Sequence, residues 1–496
     1  MKLALSAKNA WEYLPRSSKA ALGPLLGTLP LPWLLGRRFR SKLRFVEAAQ
    51  WWSADETRAH QLVQLRRILA LAYEGTPYYR RAFDTVGFTP SDLHDVQDLR
   101  QLPTIDRRTL REHLAEMCTL PPTAAHVDYT ATGGTGGEPL AFYINAGRSA
   151  VEYAYLVSSW CRAGFTIGMP LAVFRGRRVP KDRNGFRHEY DPLLRQHYYS
   201  TFHMTDADLR YCLGHLRDIG PCFLHVYPSS ATTLARFLQG AGLDPPPNVR
   251  GLIAESENVY PDQRRLVEAV FGHRLFSCYG LTEKVVAAAE CEHTTNYHVW
   301  PTYGFFELLD EAGQPVTVPG QRGEIVGTGF INEVVPFVRY RTGDFATYVG
   351  ERCAACGRTQ PIITDIRGHR VQEVLVAADG GLITWTALNV HDDSYASILR
   401  FQFLQDTPGR ARLRLVPAPG FTERAGGHLL HTLNAKLDGR LLLELEVVES
   451  LPVTGLGKAI YVDQRIGGIP SHASDCDRPF ATRMSLPTVR ADGVPS

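Results

Sequence analysis

Cys222-Phe-Leu-His-Val-Tyr-Pro-Ser-Ser-Ala231 opens a segment whose pattern decides the fold: an apolar run, a helical pattern over 231–242, and a second apolar run, Gly251-Leu-Ile-Ala254. Short continuous apolar runs around an amphipathic helix read as strand–helix–strand, with both strands covered on both faces. The pattern extends outward to Pro170-Leu-Ala-Val-Phe174 upstream and to a helical stretch over 261–271 downstream. From Asp128 to about Phe345 this alternation predicts an α/β fold with a mostly parallel sheet and ligands at the carboxyl ends of its strands.

Residues 1–125 read as helix-rich. Apolar positions in 57–73 fall at helical spacing, Thr89-Pro-Ser-Asp-Leu has helix-start chemistry, and Thr104 reads as the cap of a further helix. After Leu308 the texture changes to hairpins, with turns at Asp310-Glu-Ala-Gly-Gln-Pro and Val318-Pro-Gly-Gln-Arg-Gly. A second unit is expected from Arg367-Gly-His-Arg370, with strands at 371–377, 412–416 and 443–448, a helix at 422–437 and a glycine-bearing loop at 454–458. The expected division is 1–125, 126–366, 367–468, and a polar, proline-bearing tail at 469–496 that reads as disordered.

Composition narrows the function classes. The chain has 496 residues, and 54 Lys and Arg against 51 Asp and Glu leave a net charge of +3, which offers no argument for nucleic acid. The longest apolar run, 20–35, is broken by three prolines, so no membrane span is expected. Asn9, Trp11, Glu12 and Arg16 interrupt any signal-peptide core, and nine scattered cysteines do not form a disulfide framework. A reduced, cytoplasmic setting is the expectation. Cys161, Cys212, Cys222 and Cys278 sit among apolar neighbours and read as core.

The stretch Asp128-Tyr-Thr-Ala-Thr-Gly-Gly-Thr-Gly-Gly-Glu-Pro139 crowds Thr130, Thr132 and Thr135 among Gly133, Gly134, Gly136 and Gly137. Glycines bring backbone N–H groups up to an anion and threonine hydroxyls add donors, so a phosphate could be held here. An ordinary hairpin loop has the same composition, and the lysine of a Walker loop is missing. Four further stretches follow in order: Tyr279-Gly-Leu-Thr-Glu283, Arg339-Tyr-Arg-Thr-Gly-Asp344, Arg367-Gly-His-Arg370 and Gly455-Leu-Gly-Lys458.

Together these motifs resemble the adenylate-forming (acyl-CoA synthetase/ligase) superfamily, within it the phenylacetate–coenzyme A ligase-like branch, and most closely its capsular-polysaccharide-biosynthesis subgroup. Pro77-Tyr-Tyr-Arg-Arg, His225-Val-Tyr-Pro-Ser-Ser, Ser256-Glu-Asn-Val-Tyr and Tyr297-His-Val support the resemblance, which spans about residues 60–465. It implies a large multi-layer N-terminal adenylation domain and a small mobile α+β C-terminal domain. It further implies ATP- and Mg2+-dependent activation of a small carboxylic acid as an acyl-adenylate, then acyl transfer, with coenzyme A the expected acceptor and an amine or hydroxyl the alternative. A catalytically inactive adenylate-binding protein is the remaining reading.

The resemblance assigns roles residue by residue. Thr132, Gly133, Gly134, Thr135 and Gly136 would wrap phosphates; Thr282 would touch the α-phosphate and Glu283 help hold magnesium. Tyr279, Gly280, Ser256 and Glu257 would line the adenine side, and Asp344 would accept the ribose hydroxyls. Lys458, on its mobile loop, would reach the carboxylate and α-phosphate as the catalytic cation. The hinge departs from the usual Gly-Arg, since His369 follows Gly368; the ribose contact then falls to Arg370, Arg367 or His369. The acyl pocket is expected from 153–162 and 225–230. Cys353-Ala-Ala-Cys356 with Cys291 and His298 suits a closed tetrahedral zinc site; His293 competes with His298, which better matches the branch. A redox pair would need a thioredoxin-like helix start, which this context does not suggest.

Overall fold

The computed structural model describes residues 18, 22–23, 26–132, 140–177, 179–182, 185–368, 374–384, 388, 397–418, 420–452 and 462–466. The expected loop at 133–139, hinge residues His369 and Arg370, the loop at 454–458 with Lys458, and the tail 469–496 lie outside these residues.

Helices dominate the N-terminal part. α1 (Gly36–Ala49) precedes α2 (Ala54–Gly75) and α3 (Pro77–Thr85). α2 begins with a reciprocal cap: Ser53 Oγ accepts from Glu56 N–H at 3.2 Å, and Glu56 Oε2 accepts from Ser53 N–H at 2.8 Å. α4 (Arg107–His113) is capped by Asp106, which accepts from Thr109 N–H at 2.8 Å, and not by Thr104. A carboxylate immediately before the first turn is the better acceptor for an orphan N–H than a hydroxyl two residues further out. β1 (Val127–Thr132) and β2 (Leu140–Asn145) then pair antiparallel up to Thr132 and Leu140, on either side of the glycine-rich stretch.

α5 (Ser149–Cys161) leads into β3 (Leu171–Phe174), β4 (His188–Asp191), β5 (Gln196–Tyr199), α6 (Asp206–Asp218), β6 (Cys222–Val226), α7 (Pro228–Ala241), β7 (Val249–Ala254), α8 (Pro261–Phe271) and β8 (Leu275–Gly280). β5, β3, β6, β7 and β8 are adjacent and parallel. Alternate residues serve opposite faces: Ala172 and Phe174 pack with α6–α8, while Leu171 and Val173 pack with α1 and α5. Helices therefore cover both faces, as the continuous apolar runs predict. Gly251 permits one close approach, since a Cβ there would lie 2.5 Å from the Phe223 ring.

Beyond β8 the same sheet continues antiparallel through β9 (Ala287–Glu290), β10 (Tyr297–Val299), β11 (Gly304–Leu309), β12 (Arg322–Gly329), β13 (Tyr340–Arg352) and β14 (Thr359–Arg367), giving twelve strands in all. Arg339 locks the entry to β13. It is buried, donates to both Glu307 carboxylate oxygens at 3.1 and 2.9 Å, and reaches the Leu102 carbonyl at 2.6 Å. This fastens the N-terminal segment, and α4 with it, against the start of β13.

β15 (Val374–Val376) and β16 (Leu382–Thr384) form a ribbon. β17 (Ile398–Thr407), β18 (Arg410–Pro417), α9 (Glu423–Leu437), β19 (Leu442–Val447) and β20 (Val462–Gln464) build a separate four-stranded sheet, ordered β19-β18-β17-β20, under one helix. This α+β unit meets the large sheet at Phe202, which shares its apolar core, and at Arg187 and His203, which face Asp438. Among the described residues no helix is long and apolar enough to cross a membrane. Cys212, Cys222 and Cys278 are buried as expected, but Cys161 is exposed, because it ends α5 on the turn away from the packed stripe.

Candidate active site

A cleft of about 380 Å³ opens where the parallel strands end. Arg175 follows β3, Tyr227 follows β6, Glu255, Ser256 and Glu257 follow β7, and Tyr279 and Gly280 close β8; all line it. The carboxyl edge of a parallel sheet is where side chains from successive loops converge without being consumed by the sheet itself. Thr282, Glu283, Asp344 and Gly368 line the same cleft. Of the site residues expected from sequence, the structure therefore brings together Ser256, Glu257, Tyr279, Gly280, Thr282, Glu283 and Asp344. Thr132 ends β1. Arg367, one candidate for the ribose contact, is exposed and donates to Asp365 at 2.9 Å. Gly133, Gly134, Thr135, Gly136, Arg370 and Lys458 lie outside the described residues.

Asp344 is set by its own strand. Its N–H donates to Thr342 Oγ1 at 3.0 Å, and Thr342 donates to the Ile325 carbonyl at 2.8 Å. Its Oδ2 accepts the Tyr279 hydroxyl at 2.8 Å. Burial, and then the facing Asp344 carboxylate, push the Tyr279 phenol well above its ordinary value, so it remains a donor. The carboxylate is thereby aimed and one of its oxygens is engaged.

Glu283 is almost fully buried, accepts the Tyr340 hydroxyl at 3.1 Å and stands 3.7 Å from Arg107 Nη2. Arg107 begins α4, the helix that Arg339 fastens in place, and no motif in the sequence marked it. A buried carboxylate at the edge of this cleft suits Mg2+, which takes one or two carboxylates with the rest of its shell from water and substrate phosphate. Arg107 balances that charge in its absence.

A third group joins Trp160 and His225, from the expected pocket stretches, to Glu255 and Arg175, which were not read from sequence. Glu255 accepts from Trp160 Nε1 at 2.9 Å and from Arg175 Nη1 at 3.0 Å, and its Oε2 is 3.1 Å from His225 Nε2. Burial opposes ionisation of Glu255, but His225, Arg175 and the Trp160 N–H outweigh it and hold its carboxyl below the usual range. Burial and Arg175 lower His225, leaving Arg175 as the permanent cation of the trio. Arg175 also donates to Ser256 Oγ at 2.6 Å, on a residue held at φ +69°. Positive φ on a serine is costly and persists only where neighbours over-determine it. Glu257 accepts from Ser229 N–H and Oγ, both at 3.0 Å, tying this loop to the start of α7. Its negative charge at a helix N-terminus is favourable there. The signal available in the sequence was His225, three residues before a proline-started helix.

Tyr155, Leu156, Ser159, Cys278, Ala287 and Tyr303 line the cleft together with an ion pair between Glu152 and Lys284. The expected acyl-pocket stretches contribute Tyr155, Leu156, Ser159 and Tyr227.

At the far end of β13 the expected cysteine–histidine set also converges. Cys291 Sγ and Cys353 Sγ are 3.9 Å apart, Cys356 Sγ and His298 Nε2 are 3.6 Å apart, and all four donor atoms lie within 4.8 Å of one another. Bonds of about 2.3 Å to sulfur and 2.05 Å to nitrogen around a tetrahedral ion put S···S near ~3.8 Å and S···N near ~3.5 Å. The donors fit. Burial, then Arg162 and Arg358, lower the His298 imidazole to about 3, so the ring is neutral, the form a metal would need. His293 offers its backbone N–H, 3.4 Å from Cys291 Sγ, and its ring is outside the set.

No family model matches the chain. It is 27% identical to phenylacetate-coenzyme A ligase of Thermus thermophilus over 65% of this chain and 72% of that protein. It is 28% identical to phenylacetate-coenzyme A ligase of Pseudomonas putida over 59% of this chain and 66% of that protein. These similarities agree with the resemblance to the adenylate-forming superfamily and its phenylacetate–coenzyme A ligase-like branch. Protein CapK of Staphylococcus aureus is a more distant match, 23% identical over 50% of this chain and 54% of that protein. The fold agrees with a solved 2-hydroxyisobutyryl-CoA ligase in complex with 2-HIB-AMP and CoA, at TM-score 0.56 and 21% identity, over 84% of this chain and 92% of that one. The two chains thus share the fold that carries the cleft.

Proposed function

We propose that this protein is an AMP-forming acid ligase that activates a small carboxylic acid with ATP and Mg2+ and passes the acyl group to coenzyme A. The observation that carries the proposal is the convergence of Thr282, Glu283, Tyr279, Asp344 and the 255–257 loop on one cleft at the strand ends. Supporting it are the relatives, which are phenylacetate-coenzyme A ligases.

In this reading Asp344, steadied by Tyr279, receives the ribose hydroxyls, and the loop at 256–257 borders the base. Thr282 donates to the α-phosphate, and Glu283 is the carboxylate that would hold Mg2+, whose charge would offset that of the phosphates. The glycine–threonine stretch at 132–137 supplies N–H groups to the leaving pyrophosphate. Attack of the acid on the α-phosphate brings two anions together, and Lys458 supplies the cation between them. Residues 367–468 form the small domain that carries Lys458 to the cleft. Zinc at Cys291, His298, Cys353 and Cys356 would be structural, since four protein donors leave no open position.

The test is incubation with ATP, Mg2+, coenzyme A and a panel of carboxylic acids, following AMP, pyrophosphate and thioester. Acid-dependent AMP with a matching thioester is expected. AMP without thioester would move the acceptor to an amine or hydroxyl, as on a sugar, the alternative that the capsular-polysaccharide resemblance keeps in view. No AMP with any acid would refute ligation.

A further inference from the structure

The terminal hairpin of the twelve-stranded sheet carries a histidine cluster that the cleft does not use. In the β4–β5 register His188 faces Tyr199 and Tyr190 faces His197, so His188 and His197 are diagonal neighbours on one face. α6 lies over that face with Tyr211 and His215 one turn apart. The three imidazoles meet there, with ring centroids 4.2 Å apart for His188 and His215, 5.3 Å for His188 and His197, and 5.4 Å for His197 and His215. His188 Nε2 is 3.1 Å from His197 Nδ1, and one nitrogen from each ring lies within 4.8 Å of the other two.

We propose that His188, His197 and His215 form a second metal site, for a divalent first-row transition ion such as Zn2+. Neutral imidazole is the ligand such ions share a preference for. Nitrogens bound at about 2.0–2.1 Å to a tetrahedral ion stand about 3.4 Å apart, close to the spacing His188 and His197 already have. The contact between those two rings needs one N–H between them. On binding, the donating ring changes tautomer and its proton moves to the other nitrogen of that ring, so no proton is lost overall. Tyr199 Oη, 2.6 Å from His215 Nδ1, can take that ring's N–H and leave its other nitrogen as ligand. Asp182 acts electrostatically on both His188 and His215 and is fixed by the Tyr211 hydroxyl and the Phe186 N–H, both at 2.9 Å, so a negative charge stands beside the ion. Burial, followed by the neighbouring histidines, lowers His188 to about 4 and His197 to about 3, which keeps both rings neutral.

Three protein ligands leave a fourth position for water. The ion would clip β4, the last strand of the sheet, to α6, next to the contact between Arg187 and Asp438 of the small unit. Donor chemistry separates this site from the cysteine set. The full-length protein is stripped with chelator and reloaded with Co2+ or Zn2+. In the wild type the Co2+ form is expected to show a thiolate charge-transfer band from the cysteine site and a further equivalent of metal without one. In His188→Gln/His215→Gln the band should persist while bound metal falls by one equivalent. Equal metal content in wild type and folded double variant overturns the proposal. If the double variant does not fold, proton NMR of the Co2+-loaded wild type decides. Four hyperfine-shifted, exchangeable imidazole N–H signals are expected, three from this cluster and one from His298; fewer than four overturn it.

Discussion

β13 has two ends, and they differ in kind. At Asp344 the strand enters an open cleft where polar groups are aimed inward: a carboxylate that accepts from Tyr279, a buried Glu283 beside Arg107, and Ser256 at positive φ. At Arg352 the strand leaves into a closed knot of soft donors, where Gly357 N–H returns to the Cys353 carbonyl at 2.8 Å and four ligand atoms face one another. One end keeps donors and acceptors available for a substrate that arrives and leaves. The other gathers four donors from the ends and connections of β9, β10, β13 and β14, and zinc bound there as proposed would hold those strands together. In the proposed reading, function and rigidity are placed on the same strand, about eight residues apart.

The comparison breaks most readily at the chemical end. Glu283→Gln should lower acid-dependent AMP formation about 10²- to 10³-fold with little loss of stability, as expected when one electrostatic contact to the reacting phosphate is removed. Steady-state rates together with a urea midpoint check this; a variant that unfolds at the same rate its activity falls would place Glu283 with the scaffold.

Cys353→Ser should do the reverse. Bound zinc near one equivalent at this site is expected to disappear and the melting temperature to fall by several degrees, with the activity that remains per folded molecule little changed. Elemental analysis and calorimetry check it, and a metal content unaltered by the substitution would remove the site.

Tyr279→Phe sharpens the cleft end. Losing one hydroxyl to Asp344 should raise KM for ATP a few-fold, on the order of 1 kcal/mol, with kcat nearly unchanged. A fall in kcat alone would mean that Tyr279 acts on the reacting atoms.

The smallest effect lies away from β13, where the small unit meets the large sheet. Burial, then Arg187 and Arg440, lower His203 to about 3. A depressed histidine adds no penalty above its unfolded value near 6.5; below it the unfolded chain binds the proton first, so stability is lost as pH falls from about 6.5 toward 3. His203→Gln should flatten the decline between pH 7 and 5.5 by about 1 kcal/mol, read from urea midpoints.

Much of this was legible in sequence because it depends on period and order. Continuous apolar runs at 170–174, 222–227 and 251–254 reported strands covered on both faces, and the helices on either side supplied the cover. The antiparallel continuation after Gly280 was less visible, since strands such as Ala287–Glu290 and Tyr297–Val299 are too short to carry a period. Site residues within ordered motifs, such as Thr282, Glu283 and Asp344, line the cleft as expected. Arg107, Arg175 and Glu255 were not legible, because each reaches the cleft through tertiary packing that local spacing does not encode: Arg107 through the hold of Arg339 on the N-terminal segment, Arg175 and Glu255 through strand order. Thr104 lost its place as a cap to Asp106 for a local reason, a stronger acceptor nearer the helix.

The account rests on the claim that the cleft forms an acyl-adenylate with Lys458 as its cation. Acid-dependent exchange of labelled pyrophosphate into ATP, measured for the wild type and Lys458→Ala without coenzyme A, tests it most directly. The account predicts exchange with at least one carboxylic acid in the wild type and a loss of 10²-fold or more, to order of magnitude, in the variant. Exchange that persists undiminished in Lys458→Ala, or that is absent from the wild type with every acid, would contradict it.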